Sequence, residues 1–287
     1  MFKFGLHVLT WANRVDESAL NYLPKLKEMG YDGCEVPIIP EHINFFKPAI
    51  IRKKLEELGM DCVSGTAYGD SMSIISNDPD VSNKGVSYLK HCIDLTFELG
   101  AKILNGTLYA PIGINKKTRR TQEQWDKSVY KLREVALYAA KKGIILCLEP
   151  INRYEISFLN TVGEAVLLVR EIGERNVKVN IDTYHMNIEE KNIYETIINA
   201  GDLVGHVHCS ENDRGIPGTG HFDWDGLLRG LLDINYKGWI NIESFFEPIP
   251  EIIEVTPIWR KLAPDVDTLA REGLNFLKSK LVELQSK

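Results

Sequence analysis

Four polar side chains stand at equivalent positions after four predicted strands. Each follows directly on a short apolar run, and they are separated along the chain by 33, 26 and 35 residues. These residues, called the ligand quartet below, are Glu149, Asp182, His208 and Glu243. Taken singly, each would be an ordinary strand-end cap or a solvated carboxylate. If the apolar runs are parallel strands of one barrel, however, all four side chains open onto the same face.

Such an arrangement concentrates negative charge. Three carboxylates and an imidazole that face one another repel strongly unless a cation lies between them. The sequence therefore predicts one divalent metal ion bound by the ligand quartet. Three oxygen ligands and one nitrogen ligand form a hard, mostly anionic shell, which favours Mn²⁺, Co²⁺ or Mg²⁺ over a thiolate-type zinc site. Of these ions we predict Mn²⁺.

The elements that would position these side chains alternate along the whole chain. Short apolar runs, interpreted as strands, are separated by longer segments with helical periodicity, which is the alternation of a parallel sheet. The predicted strands are Lys3–Val8, Gly33–Val36, Asp61–Ser64, Lys102–Leu104, Ile144–Leu148, Val177–Ile181, Leu203–Val207 and Trp239–Ile242. The predicted helices are Glu17–Met29, Pro48–Leu58, Val81–Leu99, Gln122–Lys141, Val162–Ile172, Ile193–Ala200, Trp224–Leu232 and Ala263–Leu284.

Eight strand–helix units predict an α/β fold, a single (β/α)₈ TIM barrel. The 287 residues divide into units of roughly 36 residues, the usual size of such a repeat. We expect residues 1–287 to form one domain. Three segments exceed normal βα loops and are expected to extend over the rim: Thr66–Asp80, Ala110–Thr121 and Phe245–Asp265. A doubly wound open sheet is the alternative, but residues 8–12 lack its usual Gly-rich phosphate turn.

Composition excludes several classes of partner. The chain has a formal net charge of −6 and no Lys/Arg tract, so we expect neither nucleic acid nor an anionic membrane surface as a partner. No apolar run is long enough to span a bilayer, and the first residues lack the apolar stretch of a secretory signal. Five cysteines occur without C-x-x-C spacing, as expected for reduced thiols. We therefore expect the protein in the cytoplasm.

Several motifs extend the pattern beyond the ligand quartet. They are Gly33–Pro37, Leu108–Gly113, Leu148–Glu155, Asp182–Asn187, Gly205–His208, Glu211–Arg214, Pro217–Gly220 and Trp259–Arg260. In these motifs, which run nearly end to end, the chain resembles the ketose 3-epimerases of the D-tagatose/D-psicose 3-epimerase group, within the xylose-isomerase-like barrels. The resemblance implies epimerisation at C3 of a free ketose of the D-tagatose, D-fructose/D-psicose or ribulose type. It also implies a homo-oligomer, since relatives are commonly dimers or tetramers.

The resemblance implies a role for each matched residue. The ligand quartet would bind the metal, and two of its members, Glu149 and Glu243, would also act as the acid/base pair. Glu155, His185 and Arg214 would hydrogen-bond the O1–O2 end of the ketose. A ketose that chelates the metal through O2 and O3 has an acidified C3 proton. One glutamate can then remove this proton to give a cis-enediolate, and the other can return a proton to the opposite face.

Further positions are expected to line the substrate pocket. His7 stands where the family commonly has an aromatic ring, and Thr66 lies in a pocket region that varies among members. Tyr109 belongs to the motif after the fourth strand and is expected to contact the substrate. His206 shares the strand face of His208, so we expect it to pack inside the barrel and at most to support the site. The residues that contact C4 to C6 are not predicted.

The sequence leaves several alternatives open. A hydroxypyruvate isomerase-like or inosose dehydratase-like enzyme would share the ligand quartet, although Glu155, His185 and Arg214 fit the ketose epimerases better. An aldose–ketose isomerase normally needs two metals, and the sequence shows no second ligand cluster. An endonuclease IV-like phosphodiesterase needs more His and carboxylate ligands and a basic groove for DNA. A catalytically inert sugar-binding barrel would bind a ketose without exchanging its protons with solvent.

Overall fold

Eight parallel strands close into a barrel in which each strand pairs with its neighbours in chain order and β8 pairs with β1. The structure, a computed structural model, describes residues 2–113, 118–246 and 258–286. The strands are β1 Lys3–His7, β2 Gly33–Pro37, β3 Asp61–Thr66, β4 Ile103–Gly106, β5 Ile145–Leu148, β6 Val177–Asp182, β7 Val204–Cys209 and β8 Trp239–Ile242. The predicted (β/α)₈ TIM barrel is confirmed. Because all eight predicted strands join one barrel, we propose that residues 1–287 form one domain.

The helices surround this barrel. They are α1 Leu23–Met29, α2 Pro48–Leu58, α3 Pro79–Glu98, α4 Gln122–Lys141, α5 Val162–Ile172, α6 Thr183–Glu189, α7 Ile193–Ala200, α8 Trp224–Asp233 and α9 Val266–Gln285. Helices α2, α4, α5 and α7 begin and end at the predicted residues. Helix α1 begins at Leu23 rather than Glu17, because a 3₁₀ helix precedes it and Pro24 suits the first helical turn, where no N–H is needed. The sequence does not predict α6, which follows β6 without a loop.

Local sequence signals set several helix ends. Thr121 and Thr161 each form a capping box, with Gln124 and Glu164 respectively, at the starts of α4 and α5. Gly30 ends α1 with a φ of 92°, a left-handed conformation that glycine adopts without steric cost. These signals explain why the chain turns back toward the next strand at the residues where it does.

The interior of the barrel changes from apolar to polar along the strands. Because inward-facing residues alternate along a strand, one inward layer is a small apolar cluster of Val63, Ile103, Cys147 and Trp239. The next layer toward the C-terminal ends consists of the buried polar residues Glu35, Asn105, Asn180, His206 and Asn241. A separate, much larger apolar core packs the helices onto the strands. The upper half of the barrel therefore holds polar groups where branched apolar side chains are usual.

The strand ends set the positions of the ligand quartet. Glu149 and Glu243 directly follow β5 and β8, as the sequence predicts. The same prediction is wrong for Asp182 and His208, because β6 extends by one residue to include Asp182 and β7 extends by two to include His208. These two residues are direct neighbours across the β6–β7 pair. Although two of the residues lie within their strands and two directly after them, all four lie on the upper part of the barrel.

Long connections follow β3, β4 and β8 on this rim. The predicted loop Thr66–Asp80 includes a short 3₁₀ helix at Asp70–Met72 before α3 begins. In the predicted loops Ala110–Thr121 and Phe245–Asp265, residues 114–117 and 247–257 lie outside the described residues. The described parts of the three loops place Tyr68, Ile112 and Phe245 at the wall of the cavity described next.

Candidate active site

A cavity of about 590 Å³ opens at the C-terminal ends of the strands. Its wall includes the apolar side chains Leu9, Ile38, Ile39, Ile112 and Phe245. Charged and polar side chains converge on it from the strand ends, and they include His7, Glu35, Glu149, Glu155, His185, His208, Arg214 and Glu243. A concave site that combines an apolar wall with a few converging polar groups is typical of small-molecule binding.

The structure brings the ligand quartet together at this cavity. One ligand atom from each member lies within 4.8 Å of the others. His208 Nδ1 lies 3.1 Å from Glu149 Oε1, 3.3 Å from Glu243 Oε2 and 3.9 Å from Asp182 Oδ2. Asp182, His208 and Glu149 are buried. Three carboxylate oxygens around one imidazole nitrogen form a donor set that fits a hard divalent ion.

Arg214 is a buried cation beside the ligand quartet. Its Nη1 donates to Asp182 Oδ2 at 2.8 Å and to Glu243 Oε2 at 3.1 Å. Its guanidinium lies 4.3 Å from the centre of the Tyr184 ring, a cation–π contact. The backbone φ of Arg214 is +69°, a region that costs a non-glycine residue on the order of 1–3 kcal/mol and that is often found at functional sites. The loop thus holds this guanidinium against two carboxylates at a conformational cost.

Glu211 holds the loop that carries Arg214. Its Oε2 accepts hydrogen bonds from Gly218 N at 2.8 Å and Trp224 Nε1 at 3.0 Å, and its Oε1 accepts one from Phe222 N at 2.8 Å. The side chain is almost fully buried. Burial would raise the pKa of Glu211, but these donors lower it below its ordinary value. An ionised carboxylate therefore ties both ends of the loop together.

A second hydrogen-bonded group lies on the other side of Arg214. The main-chain N of Asn152 donates to His185 Nδ1 at 3.2 Å, and Asn152 Nδ2 donates to Glu155 Oε1 at 2.7 Å. Burial, and then the charge of Arg214, lowers the pKa of His185 well below its usual value, so the ring is neutral. His185 Nε2 lies 3.1 Å from Arg214 Nη2. Arg214 therefore presents donors and Glu155 an acceptor to the cavity, beside the neutral ring of His185.

The two glutamates of the ligand quartet have opposite electrostatic environments. Burial raises the pKa of Glu149 to about 7, although His208 opposes the shift. Burial would also raise the pKa of Glu243, but His208 and Arg214 hold it well below its ordinary value. Burial lowers the pKa of His208, yet the carboxylates Glu35, Glu243 and Glu149 together raise it well above its usual value. The environments of Glu149 and Glu243 thus favour opposite protonation states.

Glu35 lies beneath the ligand quartet and forms a second cluster with His206 and His208. Its Oε2 lies 3.0 Å from His206 Nε2 and 2.8 Å from His208 Nε2. The ligand atoms of these three residues also lie within 4.8 Å of one another. The sequence predicts no second cluster of ligand residues, and this prediction is wrong, because β2 and β7, which are far apart in sequence, bring these three side chains together. His206 packs inside the barrel, as predicted, and supports this cluster.

The remaining predicted pocket residues differ in what they do. His7 lines the cavity, with Nδ1 accepting from Leu9 N at 3.3 Å and Nε2 facing Glu243 Oε1 at 3.9 Å. Thr66 also lines it, but its hydroxyl bonds to Ile38 O at 2.8 Å. Tyr109 is fully buried away from the cavity. Its hydroxyl donates to the main-chain O of Glu149 at 2.9 Å, so it supports the end of β5, and it is not among the residues that line the cavity.

Sequence reasoning misses three residues that organise the site: Glu35, Asn152 and Glu211. Each lies inside one of the motifs shared with the ketose 3-epimerases, but no spacing indicates where its side chain points. A signal was nevertheless present at Glu35, a lone carboxylate between Cys34 and Val36 in a strand whose residues are all buried. Such a carboxylate needs buried partners. For Asn152 and Glu211, in loops without periodicity, the sequence carries no comparable signal.

Known proteins share both the fold and the length of this chain. Residues 23–280 match the family model described as xylose isomerase-like TIM barrel. The L-ribulose 3-epimerase of Methylomonas sp. is 32% identical over 97% of this chain and 97% of its own length. The D-psicose 3-epimerase of Agrobacterium fabrum is 31% identical over 96% of this chain and 97% of its own length. A crystal structure of D-allulose 3-epimerase from Methylomonas sp. in complex with D-allulose has a TM-score of 0.92 and 31% identity, over 97% of this chain and 96% of that one.

The chain belongs to the ketose 3-epimerase family. The ketose 3-epimerases are isomerases, so the protein is an enzyme of this class, and the family predicted from the motifs is confirmed. The endonuclease IV-like alternative is set aside, because epimerases align with almost the whole chain. The buried cluster of carboxylates and imidazoles provides this ketose 3-epimerase with a candidate metal site.

Proposed function

We propose that this ketose 3-epimerase inverts C3 of a free ketose of the D-fructose/D-psicose, D-tagatose or ribulose type, with one divalent metal ion as cofactor. The observation that carries the proposal is the convergence of the ligand quartet on the cavity, beside Arg214 and His185. The names of the relatives, L-ribulose 3-epimerase and D-psicose 3-epimerase, support this class of substrate.

The donor set supports the choice of cofactor. We propose that Glu149, Asp182, Glu243 and His208 Nδ1 hold Mn²⁺, with Co²⁺ and Mg²⁺ as alternatives, because three oxygens and one nitrogen form a hard shell. When bound, the ion supplies Lewis acidity that polarises the ketose carbonyl and makes the C3 proton more acidic. A hydroxypyruvate isomerase-like or inosose dehydratase-like activity on the same quartet is the alternative.

Glu149 and Glu243 are proposed to exchange protons with C3. They follow β5 and β8, which are separated by β6 and β7 in the closed barrel, so they reach the cavity from different sides. In the metal-free site, their environments favour a protonated Glu149 and an ionised Glu243. In one direction, Glu243 takes the C3 proton and Glu149 returns its own proton to the opposite face. The pair then ends with its protonation states exchanged, which is the starting state for the reverse reaction.

Arg214, His185 and Glu155 are proposed to bind the O1–O2 end of the ketose. Arg214 remains cationic, and its fixed charge stabilises negative charge that develops on a substrate oxygen when the C3 proton leaves. The neutral His185 ring lies beside this guanidinium, with its Nε2 3.1 Å from Arg214 Nη2, and contacts the same end of the ketose. Glu155 accepts a hydrogen bond from Asn152 and has a second oxygen for a substrate hydroxyl. These three side chains orient the ketose without taking part in the proton exchange.

The charges of the cavity support a free ketose rather than a sugar phosphate. Arg214 is the only Lys or Arg among the described residues that line the cavity. It is already paired with Asp182 and Glu243. A phosphate group normally needs arginine or lysine donors, or a helix N-terminus, beside its oxygens. The apolar wall formed by Ile38, Ile39 and Phe245 offers none of these.

Deuterium incorporation tests the proposed reaction. D-fructose, D-tagatose and D-ribulose are each incubated with the enzyme and Mn²⁺ in deuterated water, and the position of the label is found by NMR. We expect deuterium at C3 together with the C3 epimer. Label confined to C1 or C2 would indicate an aldose–ketose isomerase instead. Binding of a ketose without any exchange would indicate a sugar-binding barrel.

We extend the proposal to assembly and compartment. We propose a homodimer or homotetramer, on the resemblance to oligomeric relatives, and light scattering coupled to gel filtration measures its mass. Within the residues that the structure describes, no helix is long and apolar enough to cross a membrane. All five cysteines are buried free thiols, which supports our proposal of a reducing, cytoplasmic location.

A further inference from the structure

The carboxylate of Glu35 is saturated with hydrogen bonds in the middle of the barrel. Its Oε2 accepts from His208 Nε2 at 2.8 Å, from His206 Nε2 at 3.0 Å and from Asn241 Nδ2 at 2.7 Å. Its Oε1 accepts from Asn105 Nδ2 at 2.9 Å. The side chain is 1% exposed. Four donors from three strands, β4, β7 and β8, therefore meet on one buried anion.

Two glycines leave the room that this network needs. A Cβ atom on Gly65 would lie 2.7 Å from Glu35 Oε1, and a Cβ atom on Gly5 would lie 2.2 Å from Asn241 Oδ1. Real Cβ atoms essentially never approach other atoms so closely. The neighbouring strands β1 and β3 therefore have no side chain at the positions where one would displace Glu35 or its partner Asn241.

The contact with His208 decides which of its nitrogens carries the proton. A carboxylate oxygen at 2.8 Å from Nε2 holds a proton on that nitrogen, so Nδ1 is the nitrogen that gives up its proton and offers a lone pair when a metal ion binds. Nδ1 is the atom that faces Glu149 and Glu243, at 3.1 and 3.3 Å. A metal ion binds an imidazole through a lone pair, and a carboxylate on the opposite nitrogen fixes both the tautomer and the ring orientation.

We propose that Glu35 is a positioning residue that holds His208 as the Nε2–H tautomer and thereby sets the affinity of the enzyme for its metal. This inference rests on the proposed function, because it takes His208 as a metal ligand. The competing interpretation is that Glu35, His206 and His208 themselves bind a second ion. The four hydrogen bonds argue against it, since they already occupy the oxygens of Glu35.

Titration of the metal-free enzyme with Mn²⁺, followed by the EPR signal of the free ion, tests the role of Glu35. We expect the wild type to bind one Mn²⁺ per chain, and Glu35→Gln to bind one Mn²⁺ with a Kd raised about 10- to 100-fold, the usual effect of losing such a partner. The Mn²⁺ concentration that gives half-maximal activity should rise by the same factor. The matched control is Glu164→Gln, which changes a half-buried carboxylate in the cap of α5 and should leave Kd within about twofold.

Two further measurements keep the test independent of folding. The variant Gly65→Ala retains every charge but crowds Glu35, so it should also raise Kd. In ¹⁵N-histidine NMR spectra of the Mg²⁺-loaded wild type, His208 should carry its proton on Nε2. A proton on Nδ1, an unchanged Kd in Glu35→Gln, or two Mn²⁺ per wild-type chain would each overturn the positioning role while leaving the proposed function standing. A wild type that binds no Mn²⁺ would overturn both.

Discussion

Replacing Glu149 or Glu243 by Gln should separate the two halves of the proposed reaction. Each variant loses one of the two bases but retains the other on the opposite side of the substrate. The remaining carboxylate can still remove the C3 proton from the epimer that presents it, and can return a deuteron from solvent to the same face. Glu149→Gln should therefore exchange the C3 proton of one epimer only, and Glu243→Gln that of the other epimer only. Neither variant should convert one epimer into the other.

The expected loss of epimerisation follows from the geometry of the ligand quartet. Asp182 is unable to replace either base. Its Oδ1 accepts hydrogen bonds from the main-chain N of Tyr184 and of His185, and its Oδ2 accepts from Arg214. A positioned acid or base contributes about 10²- to 10⁴-fold, or roughly 3 to 5 kcal/mol of the barrier. Epimerisation should fall by at least this factor in both variants.

The assay must keep metal binding apart from proton transfer. Gln retains an oxygen ligand, so both variants should still bind Mn²⁺, more weakly because one negative charge is lost. Each variant is therefore assayed at Mn²⁺ concentrations shown to saturate it, with Glu164→Gln as the control. Deuterium at C3 of each purified epimer is measured by mass spectrometry after the metal is removed. Exchange of both epimers by a single variant, or retained epimerisation, would refute the two-base scheme.

Three other perturbations check separate parts of the site. Protons on Glu149, whose pKa is about 7, and on His208, whose pKa is raised, compete with the metal. Mn²⁺ affinity should therefore rise between pH 6 and pH 8 in calorimetric titrations, and a constant affinity would contradict this. Arg214→Ala should lower kcat/KM by about 10²- to 10³-fold, whereas Arg153→Ala, which removes an exposed cation, should not. Tyr109→Phe should leave KM unchanged but lower the unfolding free energy by about 0.5–1.5 kcal/mol, and a raised KM would restore Tyr109 as a substrate contact.

Those parts of the fold that follow from periodicity could be predicted from the sequence. Strand and helix positions came from apolar spacing, and the barrel placed Glu149 and Glu243 directly after their strands. Helix α6 was missed because it begins immediately after β6, with Asp182 serving both as strand end and as the N-cap that accepts from Tyr184 N. A seven-residue helix offers too few turns for its periodicity to be recognised.

Side-chain direction was harder to predict than backbone position. Glu35 lies in a strand that is buried on both faces, and such a strand has no alternation to show which residues point into the barrel. Tyr109 lies in a loop, where no period relates neighbouring residues, so its contact with the main chain at Glu149 was not predictable. In both cases the partners come from other strands, and only the folded barrel brings them together.

The separation of the polar layer from the large apolar core has a practical consequence. The groups that bind the metal and the sugar lie in the upper barrel and on its C-terminal rim, whereas most of the buried hydrocarbon that stabilises the fold lies between the strands and the surrounding helices. Substitutions that improve the packing beneath α3 or α4 therefore change the thermal stability of the protein. They act through contacts that the reacting groups do not make. This ketose 3-epimerase should accordingly accept stabilising changes in its outer shell independently of changes to its chemistry, and the two kinds of substitution should combine additively.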